Sequence, residues 1–180
     1  MYKRIVFAVW IVFAFACKES STKNQYPAID VTGYLSGQLN LIDTVPYSLL
    51  KVTEKEGLTP DSMYLTKERA RAMIAPFLSK EITQSQLEKN YIETSFADAS
   101  TASVTISYKA KEEAAVIQQI DVYFDPPTGA IRQLYLTGFY NTETGLTKKQ
   151  LLWFHNKGGQ IINTPMQGNG QTIRERLIWL

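Results

Sequence analysis

The sequence contains one histidine, His155, and one cysteine, Cys17, among its 180 residues. A nucleophilic site needs a serine or cysteine within reach of a base, and a zinc site needs several His or Cys ligands close together. His155 comes at the end of an apolar strand pattern, just before a turn, and is interpreted as a partly exposed hairpin residue. The sequence therefore predicts a non-catalytic protein without a metal or other cofactor.

Two carboxylates, Asp121 and Asp125, lie four residues apart on one predicted strand. At about 3.3 Å per residue, their side chains would share one face of the strand about 13 Å apart. The carboxylate pairs that cleave glycosidic bonds are separated by only about 5–9.5 Å. A carboxylate-based hydrolase is therefore retained only as an alternative.

Aromatic residues on two consecutive predicted strands indicate a binding surface. Tyr123 alternates with Asp121 on the polar side of one strand, and Tyr135 alternates with Gln133 on the next. A tyrosine on a polar sheet face offers both an apolar ring and a hydroxyl group, which suits contact with a protein or a carbohydrate. We predict that Asp121, Tyr123, Gln133 and Tyr135 form such a surface.

The N-terminus has the pattern of an export signal. Lys3 and Arg4 precede an unbroken run of twelve apolar residues, 5–16. A membrane-spanning helix needs about 20 apolar residues, whereas the core of a signal peptide has about 7–15. Residues 1–16 are therefore predicted to be a signal peptide.

Residues 14–17, Ala-Phe-Ala-Cys, resemble the processing site of bacterial lipoproteins. The resemblance implies that Cys17 is lipidated and becomes the mature N-terminus, so that the protein is anchored in the bacterial cell envelope, at the outer membrane, facing the periplasm or the surface. The polar run 17–25 fits a flexible tether between anchor and domain. Ala14 and Ala16 also satisfy the small-x-small rule of ordinary secretory cleavage, so a soluble secreted form is the alternative.

The charge balance limits the choice of partner. Without Lys3 and Arg4, the 19 basic residues fall to 17 and equal the 17 acidic ones. No basic surplus remains for nucleic-acid phosphates, so nucleic acid is not expected as a partner. The predicted partners are the membrane, through the N-terminal lipid, and an envelope protein or a glycan. The remaining residues, 26–180, are of a length that suits a single domain.

Apolar spacing predicts helices mainly before Tyr91 and strands after it. Helices are predicted over 31–42 and 66–78, and the second is expected to kink or stop at Pro76. A strand is predicted over 47–53, a loop at 60–62 and a helical turn at 85–88. The later strands are predicted over 103–109, 116–124, 131–140, 151–155, 160–164 and 173–180.

Short turns join these strands, notably 125–129 (Asp-Pro-Pro-Thr-Gly) and 156–159 (Asn-Lys-Gly-Gly). A parallel sheet would need long crossover connections between its strands. The sequence therefore predicts an α+β fold, with an antiparallel β-sheet of about six or more strands and two or three helices packed on one face.

The helix around Met73 and Ile74, followed later by residues 120–131, resembles the helix and hairpin of PepSY-type domains. That family carries a similar aspartate–proline–x–glycine turn and is associated with inhibition or chaperoning of secreted peptidases. The resemblance implies, as an alternative function, a regulator or inhibitor of a secreted peptidase.

Overall fold

A computed structural model describes residues 29–44, 46–98, 100–143, 145–168 and 170–180. The predicted signal peptide, Cys17 and the tether lie outside the described residues. Within these ranges there are three α-helices, α1 (Val31–Thr44), α2 (Lys67–Ile74) and α3 (Gln84–Asn90). The same ranges contain nine strands, β1 (Leu49–Lys55), β2 (Asp61–Leu65), β3 (Tyr91–Asp98), β4 (Ser103–Ala110), β5 (Ile117–Asp125), β6 (Ala130–Thr142), β7 (Gly145–Phe154), β8 (Gly158–Pro165) and β9 (Ile173–Trp179).

All nine strands belong to one antiparallel sheet in the order β2-β1-β9-β8-β7-β6-β5-β4-β3. From β3 to β9 each strand pairs with the next along the chain, as short hairpin turns require. The C-terminal strand β9 then lies between β8 and β1, and it joins the β1–β2 hairpin to the rest of the sheet. The predicted α+β class with an antiparallel sheet is confirmed.

Two strands were not predicted from the sequence. Residues 60–62 were expected to form a loop, but the described chain enters β2 at Asp61 and pairs Leu65 with Leu49 of β1. The strand β3 follows α3 directly, and Tyr91 pairs with Ala110 of β4. Both strands lie at the edges of the sheet. An edge strand has one partner only, so its apolar pattern is weaker than that of a central strand.

The helix α2 begins and ends as its sequence indicates. The Thr66 side chain accepts a hydrogen bond from the Arg69 backbone N–H, which caps the first turn. The α-helix ends at Ile74, and Ala75–Phe77 continue as a 3-10 turn that contains Pro76. The prediction was that this helix kinks or stops at Pro76, and the structure shows the stop, since proline has no N–H to continue the ladder.

One buried cluster combines apolar residues of the helices and of the sheet. From α1 it contains Val31, Leu35, Leu39 and Ile42, a spacing that places all four on one side of the helix. From the strands it contains fully buried residues such as Ile106, Ile120, Leu136, Leu151 and Trp153. We call the sheet face that carries these strand residues the core face, and the opposite one the second face.

Polar contacts fix α1 to the β7–β8 turn. Gln38 of α1 is 6% exposed, and its Oε1 accepts hydrogen bonds from Trp153 Nε1 at 3.3 Å and from the Asn156 N–H at 2.8 Å. Its Nε2 donates to Asn156 Oδ1 at 3.0 Å. The exposed His155 lies 3.1 Å from the Tyr34 hydroxyl through Nδ1, so it is a hairpin residue that contacts α1.

The buried Tyr91 and the half-buried Tyr140 make the stability of the fold sensitive to alkaline pH. Tyr91 donates to the Ile117 carbonyl at 2.8 Å, and Tyr140 donates to the Pro76 carbonyl at 2.9 Å. Burial, reinforced by Glu81, raises the pKa of both hydroxyls to about 12. In the unfolded chain a tyrosine titrates near pH ~10, so unfolding between about pH 10 and pH 12 releases protons. The free energy of unfolding therefore falls as pH rises through this range.

We expect Tyr140→Phe to reduce this alkaline loss of stability. The variant also loses one hydrogen bond, which lowers the free energy of unfolding near neutral pH by about 1 kcal/mol. Urea unfolding at about pH 8 and about pH 11 measures both effects. Tyr64, which is 69% exposed, provides the control, because Tyr64→Phe should leave the alkaline loss unchanged. Equal alkaline losses in Tyr140→Phe and the wild type would contradict the prediction.

Candidate functional site

The four residues predicted to form a binding surface lie side by side on the second face. In the register of β5 with β6, Asp121 lies opposite Tyr135 and Tyr123 lies opposite Gln133. Directly opposed residues of an antiparallel pair have Cβ atoms about 4.5–5.5 Å apart, so the four side chains form one contiguous group. We call this group, Asp121, Tyr123, Gln133 and Tyr135, the tyrosine patch.

The turn after β5 and a register shift just beyond it together determine this register. The Gly129 N–H donates to the Asp125 carbonyl at 2.7 Å, and Gly129 has φ +66°, a left-handed conformation that glycine adopts without strain. A register shift between Tyr123 and Phe124 then leaves Arg132 outside the regular pairing. Arg132 forms an ion pair with Asp125 at 3.0 Å, across the base of the turn.

Asp121 is held close to the sheet by neighbouring polar side chains. It is 8% exposed, and Gln119 Nε2 donates to its Oδ2 at 2.9 Å and to its Oδ1 at 3.3 Å. Ser107 of β4 lies opposite it on the other side. Among the described residues, no salt bridge joins a lysine or arginine to this carboxylate. The patch therefore contains an acidic acceptor bound by a neutral amide.

The two tyrosines differ in their surroundings. Gln150 of β7 donates a hydrogen bond from Nε2 to the Tyr135 hydroxyl, which fixes the position of that ring. Partial burial raises the pKa of Tyr123, and the negative charge of Asp121 and the neighbouring Tyr135 add to the rise. Tyr123 consequently stays protonated near neutral pH, and its hydroxyl is a hydrogen-bond donor beside the Asp121 acceptor.

Apolar side chains border the patch on the same face. Leu152 of β7 lies opposite Tyr135, and Phe154, which is 39% exposed, lies opposite Gln133. Hydroxyl, amide and carboxylate groups thus lie beside aromatic and aliphatic surface on adjacent strands. This combination can bind a ligand that presents both hydroxyl groups and an apolar face.

The sequence pattern found only part of this surface. Gln119 alternates with Asp121 and could be placed on the same face from the sequence. Gln150 could not, because its contact with Tyr135 depends on the register between β6 and β7. The expected turn at 156–159 also differs, since Gly158 and Gly159 are buried residues of β8 and only 155–157 form the turn.

The described residues bring no acid–base pair or metal-ligand cluster together at the patch. Asp125 is bound to Arg132, whereas Asp121 contacts Gln119. No group of three or more His, Cys, Asp or Glu side chains within the described ranges is placed to hold a metal ion. The patch itself offers hydrogen-bonding groups and aromatic surface.

A separate cleft of about 410 Å³ lies on the core face, at the β2-β1-β9 end of the sheet. Lys51 and Glu175 form an ion pair of 3.2 Å at its wall, and Leu58 and Ile173 add apolar surface. No pattern in the sequence indicates this cleft, because β2 was not predicted. Two of its charged groups, Lys51 and Glu175, are used by each other, and Asn163 Nδ2 also donates to Glu175 Oε2 at 3.4 Å.

Comparisons with family models, with curated proteins and with solved structures found no match to this chain. Within the described residues, none of the helices has the length and apolar character needed to span a bilayer.

Proposed function

We propose that this protein is a non-catalytic binding module of the bacterial cell envelope, anchored by lipid at Cys17, which binds a glycan or a protein through the tyrosine patch. The observation that carries the proposal is the pairing of Asp121 with Tyr135 and of Tyr123 with Gln133 on one sheet face. These four side chains come from two separate strands and are direct neighbours in the fold.

The chemistry of the patch favours a neutral glycan over a protein. The amide of Gln133 and the phenol groups of Tyr123 and Tyr135 form hydrogen bonds in either direction, as sugar hydroxyl groups require. Aromatic rings also pack against the apolar face of a sugar ring. Asp121 adds one negative charge without a cationic partner among the described residues, which disfavours acidic polymers.

We further infer that the helices pack together on the core face and leave the second face for the ligand. The contacts of Gln38 with Trp153 and of Tyr140 with Pro76 support this arrangement, because both strand residues lie on the core face. In contrast, the Asp121 carboxylate accepts hydrogen bonds from Gln119 of its own strand, and the Tyr135 hydroxyl accepts one from Gln150 of β7.

Loss of binding in patch variants is the expected result that tests the proposal. Tyr123→Ala and Tyr135→Ala should each weaken binding to neutral cell-wall polysaccharide by about tenfold, because each removes an aromatic contact worth about 1–1.5 kcal/mol. Affinity electrophoresis in gels containing the polysaccharide measures the change. Tyr64→Ala is the matched control, since Tyr64 is exposed on the far edge strand β2.

The outcomes separate the candidates. If the wild type and the patch variants migrate equally in gels containing each polysaccharide, the glycan-binding proposal is wrong. Capture of one envelope protein by the wild type, with loss of that capture in Tyr135→Ala, would assign the patch to a protein partner instead.

The anchor has its own test. We expect Cys17→Ser to release the protein from the membrane fraction or to block its processing, because serine lacks the thiol to which lipid is attached. Fractionation of cells expressing the full chain, with detection of the precursor by size, measures both effects. Normal cleavage with unchanged distribution between membrane and soluble fractions would favour ordinary secretory cleavage after Ala16.

A second candidate function is regulation of a secreted peptidase, as the resemblance to PepSY-type domains implies. The observation that favours it is the exposure of the β5–β6 turn, in which Pro126, Pro127, Thr128 and Gly129 all face solvent. An exposed turn is accessible to a peptidase. Inhibition of purified secreted peptidases by the wild type, lost when residues 126–128 are replaced, would support this function.

A further inference from the structure

Among the described residues, no strand covers the outer edge of β3. It occupies one end of the nine-stranded sheet and pairs only with β4 among the described residues. Its eight residues include no proline, lysine or arginine, although such residues usually protect an edge strand from pairing with another chain. Ile92 is 55% exposed and Phe96 is 66% exposed. This edge is therefore open to β-strand addition.

The hydrogen-bond pattern shows which backbone groups are available. The Lys111 N–H donates to the Asn90 carbonyl at 2.9 Å, so Asn90 directs its backbone groups toward β4. Because the direction alternates along an antiparallel strand, the even-numbered residues of β3 bond to β4. The backbone N–H and C=O groups of the odd-numbered residues point to the free edge; these residues are Tyr91, Glu93, Ser95 and Ala97. Of these groups, the Tyr91 N–H already donates to the Leu87 carbonyl.

The sequence of β3 is complementary to itself in one antiparallel register. With Thr94 opposite Thr94 of a second copy, Ile92 lies opposite Phe96 and Glu93 lies opposite Ser95. The outward-directed residues then face one another and form about six interchain hydrogen bonds. The two most exposed apolar side chains of the strand form aromatic–aliphatic pairs, which are among the favourable cross-strand pairs.

Other registers are less favourable. Centring the pairing on Glu93 places two carboxylates directly opposite each other, which is destabilising. Centring it on Ser95 places Ile92 opposite Asp98. A shift by a single residue brings an outward-directed residue opposite one that already bonds to β4, so the ladder cannot form.

On the core face, the register centred on Thr94 matches side-chain size. Tyr91 lies opposite Ala97 of the second copy, and Glu93 lies opposite Ser95. Each large side chain thus meets a small one, and no pair of like charges is opposed. At the ends, Asp98 lies opposite the neutral Asn90, so no second charge faces this carboxylate.

We propose that two copies of this chain pair antiparallel through β3, with the two-fold axis at Thr94, so that their sheets form one continuous sheet. The interface is isologous, as expected for a symmetric dimer. The tyrosine patch lies on the same side of the sheet as Ile92 and Phe96, so both patches of the dimer face the same way. This inference goes beyond the proposed function and does not depend on it.

The test uses two kinds of variant of the full chain. Ser95→Pro removes an outward-directed N–H without removing a bond to β4, and Phe96→Lys removes the apolar pair with Ile92. Sedimentation at increasing concentration should show a monomer–dimer equilibrium for the wild type and a shift to monomer for both variants. Urea unfolding of each variant shows that its fold is retained, and a variant that does not fold is replaced by Ile92→Lys.

A cysteine introduced at the two-fold axis tests the register. In a Cys17→Ser chain, Thr94→Cys places two thiols opposite each other in a non-hydrogen-bonded pair with Cα atoms about 4.5 Å apart, within disulfide range. Mild oxidation should produce a covalent dimer, whereas Ser62→Cys on β2 should not. A wild type that stays monomeric at every concentration would overturn the proposal. So would a dimer that persists in Ser95→Pro, or a Thr94→Cys variant that crosslinks in cells only to a different protein.

Discussion

Replacement of Gly158 by alanine is expected to lower the free energy of unfolding by about 3–5 kcal/mol. A Cβ atom at this position would lie 2.1 Å from the Leu177 carbonyl oxygen of β9, far inside any real contact distance. The obstacle is backbone, which cannot rotate away as a side chain can. Gly158 also has φ +100°, a conformation that residues with a Cβ rarely adopt.

The clash at Gly158 would disturb the centre of the sheet. Gly158 pairs with Ile178 of β9, and the Trp179 N–H donates to the neighbouring Lys157 carbonyl at 3.3 Å. A new Cβ would also lie 3.2 Å from the Trp179 ring, which packs against Trp153 in an edge-to-face contact of 5.7 Å. Relief of the clash therefore requires β8 and β9 to separate, and β9 is the strand that joins β1 and β2 to the sheet.

Gly129→Ala is the matched control for this experiment. Gly129 has φ +66°, but a Cβ atom there meets nothing within 4 Å. The Gly129→Ala variant should therefore lose only the free energy that the left-handed conformation costs, about 1–2 kcal/mol. Urea unfolding of both variants, read by tryptophan fluorescence, measures the difference. Equal losses would show that the backbone contact at Leu177 contributes nothing, contrary to the prediction.

Strands with one buried face were the elements that could be predicted well from the sequence. Ile120 and Val122 are fully buried, and they alternate with Asp121 and Tyr123, so the period of two determined both the strand and its faces. The residues of the tyrosine patch followed from that alternation. Alternation along one strand does not predict which residues pair across two strands. For that reason the sequence did not indicate Gln150, whose place at the site depends on its contact with Tyr135.

The elements that sequence missed have weaker local signals. In β2, Met63 and Tyr64 are both exposed, so no buried face marks the strand. Gly158 and Gly159 were expected in a turn because glycine is common in turns. In the structure they are buried residues of β8. Glycine is needed at both positions, because a side chain there would collide with neighbouring backbone. That requirement arises from the packing of β8 against β7 and β9, and no local pattern contains it.

Replacement of Gln38 by leucine is expected to lower the free energy of unfolding by about 2–4 kcal/mol, although leucine is apolar and of similar size. Leucine would leave Trp153 Nε1 and the Asn156 N–H without the Oε1 acceptor, and Asn156 Oδ1 without its donor. Trp153 is fully buried, so water cannot replace the lost bond to its indole. A buried donor that loses its partner carries the full cost of desolvation.

Two further variants separate the loss of the Gln38 hydrogen bonds from a change in helix propensity and from the contribution of the β7–β8 turn. Gln84→Leu makes the same change on the exposed surface of α3, where the Gln84 amide donates to Glu88, and should alter stability by no more than about 0.5 kcal/mol. Asn156→Gly keeps the left-handed conformation of a residue with φ +55° but removes its side chain. If the two contacts act as one unit, the double variant Gln38→Leu with Asn156→Gly should lose at least about 0.5 kcal/mol less than the sum of the single losses. Strict additivity would show that α1 and the β7–β8 turn are stabilised independently.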